Sequence, residues 1–211
     1  MSDAEPPRDC PLCPRLAAYR HQNRREHPDW WNGPAPSFGD ERARLLIVGL
    51  APGRAGANRT GRPFTGDFAG VLLYETLIKT GFARGRYGAQ VDDGLELVDC
   101  MITNAVRCAP PKNRPLPIEE ATCRPFLAAR IRSLRRLKVI VTLGDLARRN
   151  VVRALDAKPS QASGGHGTET DYGRYRLINS YHCSRLNTNT GRLTPAMFEA
   201  VFEAARAHLR G

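Results

Sequence analysis

Residues able to do chemistry gather in three polar stretches of the chain and in its cysteines. The first stretch runs from Gly49-Leu50-Ala51-Pro52-Gly53 to Asp67 and holds five glycines, which let a backbone turn tightly and aim its N–H groups at an anion. It lacks the Gly-Lys-Ser/Thr ending of a Walker loop, and Gly53-Arg54-Ala55-Gly56 does not fit the dinucleotide glycine pattern. Asp67, at its end, stands where it can cap a following helix. The second stretch begins at Thr103-Asn104 and ends in the proline-rich Cys108-Ala109-Pro110-Pro111-Lys112-Asn113. An amide such as Asn104 offers a donor and an acceptor, as reading a nucleobase edge requires, although an Asn at a strand end also serves to stabilise a turn. Asn113 carries the same two readings. The third stretch, Ser180-Tyr181-His182-Cys183-Ser184-Arg185-Leu186-Asn187, surrounds a histidine with hydroxyls, amides and arginines. A histidine in that company can donate to a developing oxyanion, and a structural hydrogen bond is the plainer alternative.

Of six cysteines, Cys10 and Cys13 form a Cys-x-x-Cys pair, while Cys108 and Cys123 flank a loop and the start of a helix. Four thiolates from two separated segments can build a tetrahedral zinc site or hold an iron–sulfur cluster, and spacing alone does not choose. Cys100 reads as a small buried hydrophobe and Cys183 as packing beside His182.

Continuous apolar, β-branched runs mark the elements that must position these groups. Leu45–Val48 ending at Gly49, Leu97–Val106, Lys138–Leu143 and the weaker Tyr175–Ser180 read as strands buried on both faces of a parallel sheet. Helical periodicity falls between and after them, over Phe68–Thr80, Ile118–Leu137, Asp145–Leu155 and Pro195–Leu209. Start signals support several of these, among them Pro117 before Ile118 and Thr194 ahead of Pro195. Lys158–Gly173 and Trp30–Asp40 read as loops. The alternation predicts one three-layer α/β/α domain over residues 1–211 with a central, mainly parallel, four-stranded sheet. Ligands then bind outside the carboxyl ends of the strands, where all three polar stretches lie.

The chain has 211 residues, with 32 Lys and Arg against 21 Asp and Glu, a formal net charge of +11. That excess favours a polyanion, through release of counterions on binding. The longest apolar run, Leu45–Pro52, is far short of a membrane span, and the first thirty residues are studded with charge rather than a signal-peptide core. A cytoplasmic protein needing no oligomer is expected. In a reducing cytosol its cysteines are metal ligands or buried thiols rather than disulfides.

Together the motifs Gly49–Gly53, Asn58–Asp67, Ala105–Asn113, Ser180–His182 and Asn187–Thr194, with Cys10-Pro11-Leu12-Cys13, resemble the uracil-DNA glycosylase superfamily, specifically its iron–sulfur family 5. The resemblance spans essentially the whole chain. It implies a monofunctional enzyme that flips and hydrolytically removes uracil, and other deaminated bases such as hypoxanthine, from DNA. It implies that Cys10, Cys13, Cys108 and Cys123 hold a structural [4Fe–4S] cluster, two of them supplied by residues 1–40. Asp67 matches the acid that orients the attacking water, His182 the donor to the uracil carbonyl, and Asn113 a polar partner at the same site. Phe64 matches the stacking aromatic, Asn104 matches the base-reading amide of the neighbouring family 4 where some family 5 members carry a small residue, and the backbone of Gly49, Ala51 and Gly53 completes the base pocket. Leu50 fills the slot where other families carry an acid. Arg59, Arg62, Arg185 and Arg192 are expected at the DNA, with Leu186 as the wedge. Cys183 departs from the family's usual proline. Two other classes compete: a non-catalytic iron–sulfur or zinc protein that grips damaged bases, and a zinc-bound nucleotide hydrolase.

Overall fold

The computed structural model describes residues 4–161 and 164–210. In chain order its elements are α1 (Pro14–Glu26), β1 (Phe38–Gly39), β2 (Leu45–Gly49), α2 (Ala57–Thr60), α3 (Phe68–Lys79), β3 (Ala83–Arg84), β4 (Glu96–Leu97), β5 (Cys100–Asn104), α4 (Pro117–Ser133), β6 (Val139–Leu143), α5 (Asp145–Ala154), β7 (Glu169–Tyr172), β8 (Tyr175–Ser180), α6 (Arg185–Asn189) and α7 (Pro195–Arg210). One six-stranded sheet runs in the order β1-β5-β2-β6-β8-β7, and β3 pairs with β4 in a separate ribbon.

The four expected strands form the parallel centre of that sheet, with Ile47 opposite Ile102 on one side and Val141 on the other. Side chains alternate across it. Leu45 and Ile47 pack with Leu73 and Leu77 of α3 and Phe198 and Phe202 of α7. Leu46 and Val48 pack with Leu127 and Ile131 of α4 and Val151 of α5. Both faces are covered, which is why these strands are continuously apolar.

The sheet has six strands rather than four because both edges lie in segments that read as loops. β1 is two residues long and antiparallel to β5. β7, antiparallel to β8, alternates exposed and half-buried residues, so its Glu-Thr-Asp-Tyr sequence carries no apolar run. Residues 162 and 163 of that expected loop lie outside the described residues. The expected strand over Leu97–Val106 is split at Asp99, whose φ of +53° breaks the extended run. The predicted helices otherwise appear within a few residues, and α4 ends at Ser133 so that Leu134 and Leu137 can turn into the core. The polar helix α1 lacks an apolar stripe and buries Leu16, Arg20 and Asn23.

The helix after β2 packs on one face and the helix after β5 on the other. These neighbouring strands therefore part at their carboxyl ends, the crevice where open α/β sheets bind ligands.

Candidate active site

The loops leaving β2, β5 and β8 enclose a cleft of about 600 Å³ at that crevice. Its wall includes Ala51, Gly53, Phe64, Asp67, Asn104, Asn113 and His182, seven of the residues expected at the site. Leu50, Arg54, Ala69 and Ser184 complete the contacts that matter below.

Asp67 fulfils the bland reading and more. As N-cap of α3 it accepts from the Gly70 N–H at 3.0 Å through Oδ1. Its Oδ2 lies against the loop glycines: a Cβ built on Gly56 would fall 2.5 Å from it, and one on Gly53 3.4 Å. Burial raises its pKa above the ordinary 3.8, opposed by the hydrogen bonds from Gly70 and Ala69. The helix N-terminus thus fixes one oxygen and leaves the other facing the cleft.

Gly49 lines no part of the cleft but sets its floor. A Cβ there would sit 2.6 Å from both Asn104 Oδ1 and the Phe64 ring, so only glycine allows the amide and the aromatic to meet behind it. Asn104 is 2% exposed, and its amide makes no hydrogen bond among the described residues. Open to the cleft rather than sealed from water, that amide is free to pair with a ligand. Phe64 adopts a φ of +53°, a conformation that costs a non-glycine residue about 1–3 kcal/mol and is held only by its surroundings. The Tyr87 hydroxyl donates to the Phe64 carbonyl at 3.2 Å, and the Tyr74 hydroxyl donates to the preceding Pro63 carbonyl at 2.6 Å.

His182 lies across from Phe64, their ring centroids 6.0 Å apart. Burial lowers its pKa below 6.5, so the ring is neutral at neutral pH and keeps one N–H to donate. The backbone there is fixed by Asn187, whose Nδ2 donates to the His182 carbonyl at 2.8 Å. Asn113, also at positive φ (+55°), is exposed on the rim.

The arginines divide. Arg185 is exposed, its guanidinium 5.0 Å from the Phe68 ring centre, and Leu186 beside it is 72% exposed on the short helix α6, which Ser184 caps. Arg192 stacks on Tyr181 at 4.5 Å and lines a pocket that shares His182 with the cleft. Arg59 sits in a neighbouring groove beside Trp30 and Trp31. Arg62 differs from expectation. It is 4% exposed, forks onto Asp93 at 2.6 and 2.9 Å, donates to Thr65 at 2.7 Å and lies near the Tyr74 and Tyr87 rings. The Arg62 bonds hold the Asp93 carboxyl well below the usual carboxylate range. A guanidinium spent in this way cannot reach a phosphate, so Arg62 braces the Phe64 turn from inside. Nothing local in the sequence marks Tyr87 and Asp93 for this role, since the Phe64 carbonyl and the Arg62 guanidinium that they hold lie 23 and 31 positions away.

Behind the cleft, Cys10, Cys13, Cys108 and Cys123 line one small cavity with Leu16, Val106 and Phe126. None is in a disulfide. Arg20 reaches the Cys108 Sγ at 3.7 Å, and the Arg107 N–H donates to the Cys123 Sγ at 3.4 Å. The Arg20 Nε is buried without a partner. Burial pushes the Cys13 thiol up to about 11 and the Cys108 thiol to about 12. Only a strongly positive partner would keep such thiols ionised. Among the described residues, no three His, Cys, Asp or Glu side chains stand close enough to share a single ion. The donor set is therefore all-sulfur, apolar and spread. Arg20 lies two helical turns past Cys13, a spacing that hints at its role once α1 is known.

A cleft floored by glycine at the switch point of a parallel sheet, lined by a capping aspartate and a neutral histidine, has the parts of a ligand site able to do hydrolytic chemistry. A model of the uracil DNA glycosylase superfamily matches residues 36–206. The chain belongs to that superfamily. It is similar to the type-5 uracil-DNA glycosylase of Thermus thermophilus, with 42% identity over 205 residues that cover 93% of each chain. It is similar also to the type-5 enzyme of Pyrobaculum aerophilum, with 41% identity over 203 residues, 94% of this chain and 88% of the relative. A type-4 uracil-DNA glycosylase of Thermotoga maritima shares 36% over 148 residues, 69% of this chain and 67% of the relative.

Proposed function

We propose that the protein is a monofunctional DNA glycosylase that flips uracil out of the duplex and hydrolyses its N-glycosidic bond, opening base excision repair. The observation that carries this is the convergence of Asp67, Asn104, His182 and Phe64 in one cleft at the switch point. An uncharged base inside the stack is out of reach, and extruding it costs a few kcal/mol of stacking. The exposed Leu186 and its neighbour Arg185 are placed to offset that cost, one as a wedge and one toward the backbone.

Within the cleft, the Phe64 ring receives the base face and the unpartnered Asn104 amide reads its edge. As the C1′–N1 bond breaks, its electron pair passes to the base. The neutral His182 N–H and the loop N–H groups between Gly49 and Gly53 stabilise that charge, while ionised Asp67 stabilises the sugar cation. The water attacking C1′ gives its proton to Asp67, and Asn113 helps orient it from the rim. Among the described residues no lysine lines the cleft, which suits hydrolysis without strand cleavage. The apolar Leu50 contributes no charge against other bases, so hypoxanthine is accepted as well.

The four cysteines are read as ligands of a [4Fe–4S] cluster. Cys10 and Cys13 ahead of α1, Cys108 in the loop after β5 and Cys123 in α4 would hold such a cluster in an all-sulfur, apolar pocket. Bound there, the cluster would supply no step of the reaction and would tie α1 to the loop after β5. The same reading takes the chain as one domain acting as a monomer on nucleoid DNA in the cytoplasm. No helix among the described residues is long and apolar enough to cross a membrane.

The test is an end-labelled duplex with a single uracil, run on a gel with and without alkali. Cleavage at that position only after alkali is expected. Intact DNA in both lanes, with binding confirmed, would favour the silent DNA-binding alternative.

A further inference from the structure

The cleft accounts for only part of the basic excess. At the opposite end of the sheet, where β2, β6 and β8 begin, a concavity of about 670 Å³ is lined by Arg44, Arg135, Arg136, Lys138, Arg174 and Arg176. Asp171 is the carboxylate among its lining residues. Backbone hydrogen bonds knit this surface together: Lys138 N–H donates to the Arg44 carbonyl at 3.0 Å and Arg176 N–H to the Lys138 carbonyl at 2.8 Å.

Two of the six cations are already neutralised, Arg44 by Asp99 at 2.6 Å and Arg176 by Asp171 at 2.9 Å. His208, at the edge, is engaged with Glu169. The other four, Arg135, Arg136, Lys138 and Arg174, are exposed and form no ion pair among the described residues. Helices α4 and α7 both end nearby, and cations are favoured at helix carboxyl termini. Each terminus carries roughly half a negative charge, so the two together offset about one of the four. The remainder repel one another, and an anion that spans several at once gains affinity by releasing their counterions.

This surface faces away from the cleft across the length of the parallel strands. Five residues at about 3.3 Å each make that length roughly 17 Å, before loops are added. We propose that the concavity grips the phosphodiester backbone of a second DNA segment, so that the protein can hold one duplex in the cleft and another at the strands' amino ends. Such an enzyme passes between segments without dissociating completely. The charge geometry stands on its own; the choice of DNA over another polyanion rests on the function proposed above.

The test first fills the cleft with a short duplex carrying a non-hydrolysable deoxyuridine analogue, then titrates a fluorescein-labelled undamaged duplex and follows anisotropy at several salt concentrations. Wild-type protein should bind the second duplex. An R135Q/R136Q/R174Q variant should bind it at least tenfold more weakly, with log K falling less steeply with log salt by about 0.9 for each lost phosphate contact. The matching R135K/R136K/R174K variant should retain binding. Single-turnover excision on a short uracil duplex should be unchanged in both variants, which also reports that they fold. Equal second-duplex binding by wild type and the glutamine variant would overturn the proposal. So would charge-dependent capture of anionic phospholipid vesicles without any second-duplex binding. Loss of excision in wild type would instead strike the proposed function, and second-duplex binding would still be read separately.

Discussion

The cleft and the cysteine cavity share one loop and treat polar groups in opposite ways. From the end of β5 that chain segment gives Asn104 and Asn113 to the cleft and Cys108 to the cavity. In the cleft, the Asn104 amide has no protein partner, and Phe64 and Asn113 sit at positive φ. In the cavity, the thiols lie among Leu16, Val106 and Phe126 and receive hydrogen bonds from Arg20 and the Arg107 backbone. One side keeps an open amide and strained backbone for a ligand, and the other braces the loop that carries them, although it too holds a buried orphan in the Arg20 Nε. If that division is right, cavity variants should lose stability first, while cleft variants should lose rate and keep their fold.

The largest effect should come from the cavity. Cys108→Ser removes a proposed cluster ligand, and the binding free energy of a structural metal group is folding free energy. We expect loss of the cluster's visible absorption and a drop of several kcal/mol in urea-unfolding stability. A Cys108→Ser protein as stable as wild type would break the comparison at its stable end.

Next in size is a residue that blurs the division. Arg62 forms part of the cleft's support, yet it is a structural group, with both it and Asp93 5% exposed at the side chain. Removing one partner of a buried pair leaves the other charge uncompensated, at a cost of about 3–5 kcal/mol. Arg62→Met should show that loss in urea unfolding, and Arg62→Met/Asp93→Leu should recover much of it. Residual excision by the double variant, measured at saturating DNA, then shows how far the Phe64 turn depends on the guanidinium rather than on Tyr74 and Tyr87.

These two cases also show what the sequence made legible. The parallel centre was readable because strands covered on both faces must be continuously apolar, as in Leu45–Val48 and Val139–Leu143. The edges were not, because β7 needs only its alternate residues half-buried and β1 only two residues to pair. Asp67, His182 and the four cysteines could be named as candidates from the motifs that carry the resemblance, and the fold brings the first two to one cleft and the cysteines to one cavity. Arg62 was misread as a DNA contact because its fate was decided by Asp93, thirty-one positions away in a loop with no motif of its own. Charge in a sequence says that a partner exists, and only the fold says whether the partner is inside.

On the cleft side, Asp67→Asn should cut the single-turnover excision rate by about 10²–10³, the scale of one well-placed electrostatic group. The pH profile sharpens the assignment. Asp67 must be ionised and its pKa is raised by burial, so the acid limb of kcat/KM should fall above the ordinary carboxylate value of 3.8. His182 must be neutral, and its pKa is lowered by burial, so it sets no loss above 6.5. The same shift carries a stability signature of the opposite kind from a salt bridge. A carboxyl whose folded pKa exceeds its unfolded one binds more protons when folded, so stability falls as pH rises from 3.8 through the folded value. Asp67→Asn should therefore be no more stable than wild type below pH 3.8 and more stable at neutral pH, as followed by urea unfolding. A wild-type excision rate in Asp67→Asn would remove this residue from the chemistry.

The smallest effect separates the two jobs of that one side chain. Asp67 caps α3 through Oδ1 while its second oxygen serves the cleft. Asparagine keeps a cap acceptor and loses the charge, whereas alanine loses both. Loss of an N-cap costs about 1 kcal/mol, so Asp67→Ala should be less stable than Asp67→Asn by about that amount. Their excision rates should be equally low, because neither offers a carboxylate to the water. If alanine were instead markedly slower than asparagine, the second oxygen would act chiefly as a neutral acceptor, and the charge assigned to the sugar cation would have to come from elsewhere. If the two were equally stable, the cap would owe its strength to the backbone N–H groups of Ala69 and Gly70 finding water in the open cleft. The N-terminus of α3 would then belong to the side of the molecule that holds its valences for a ligand.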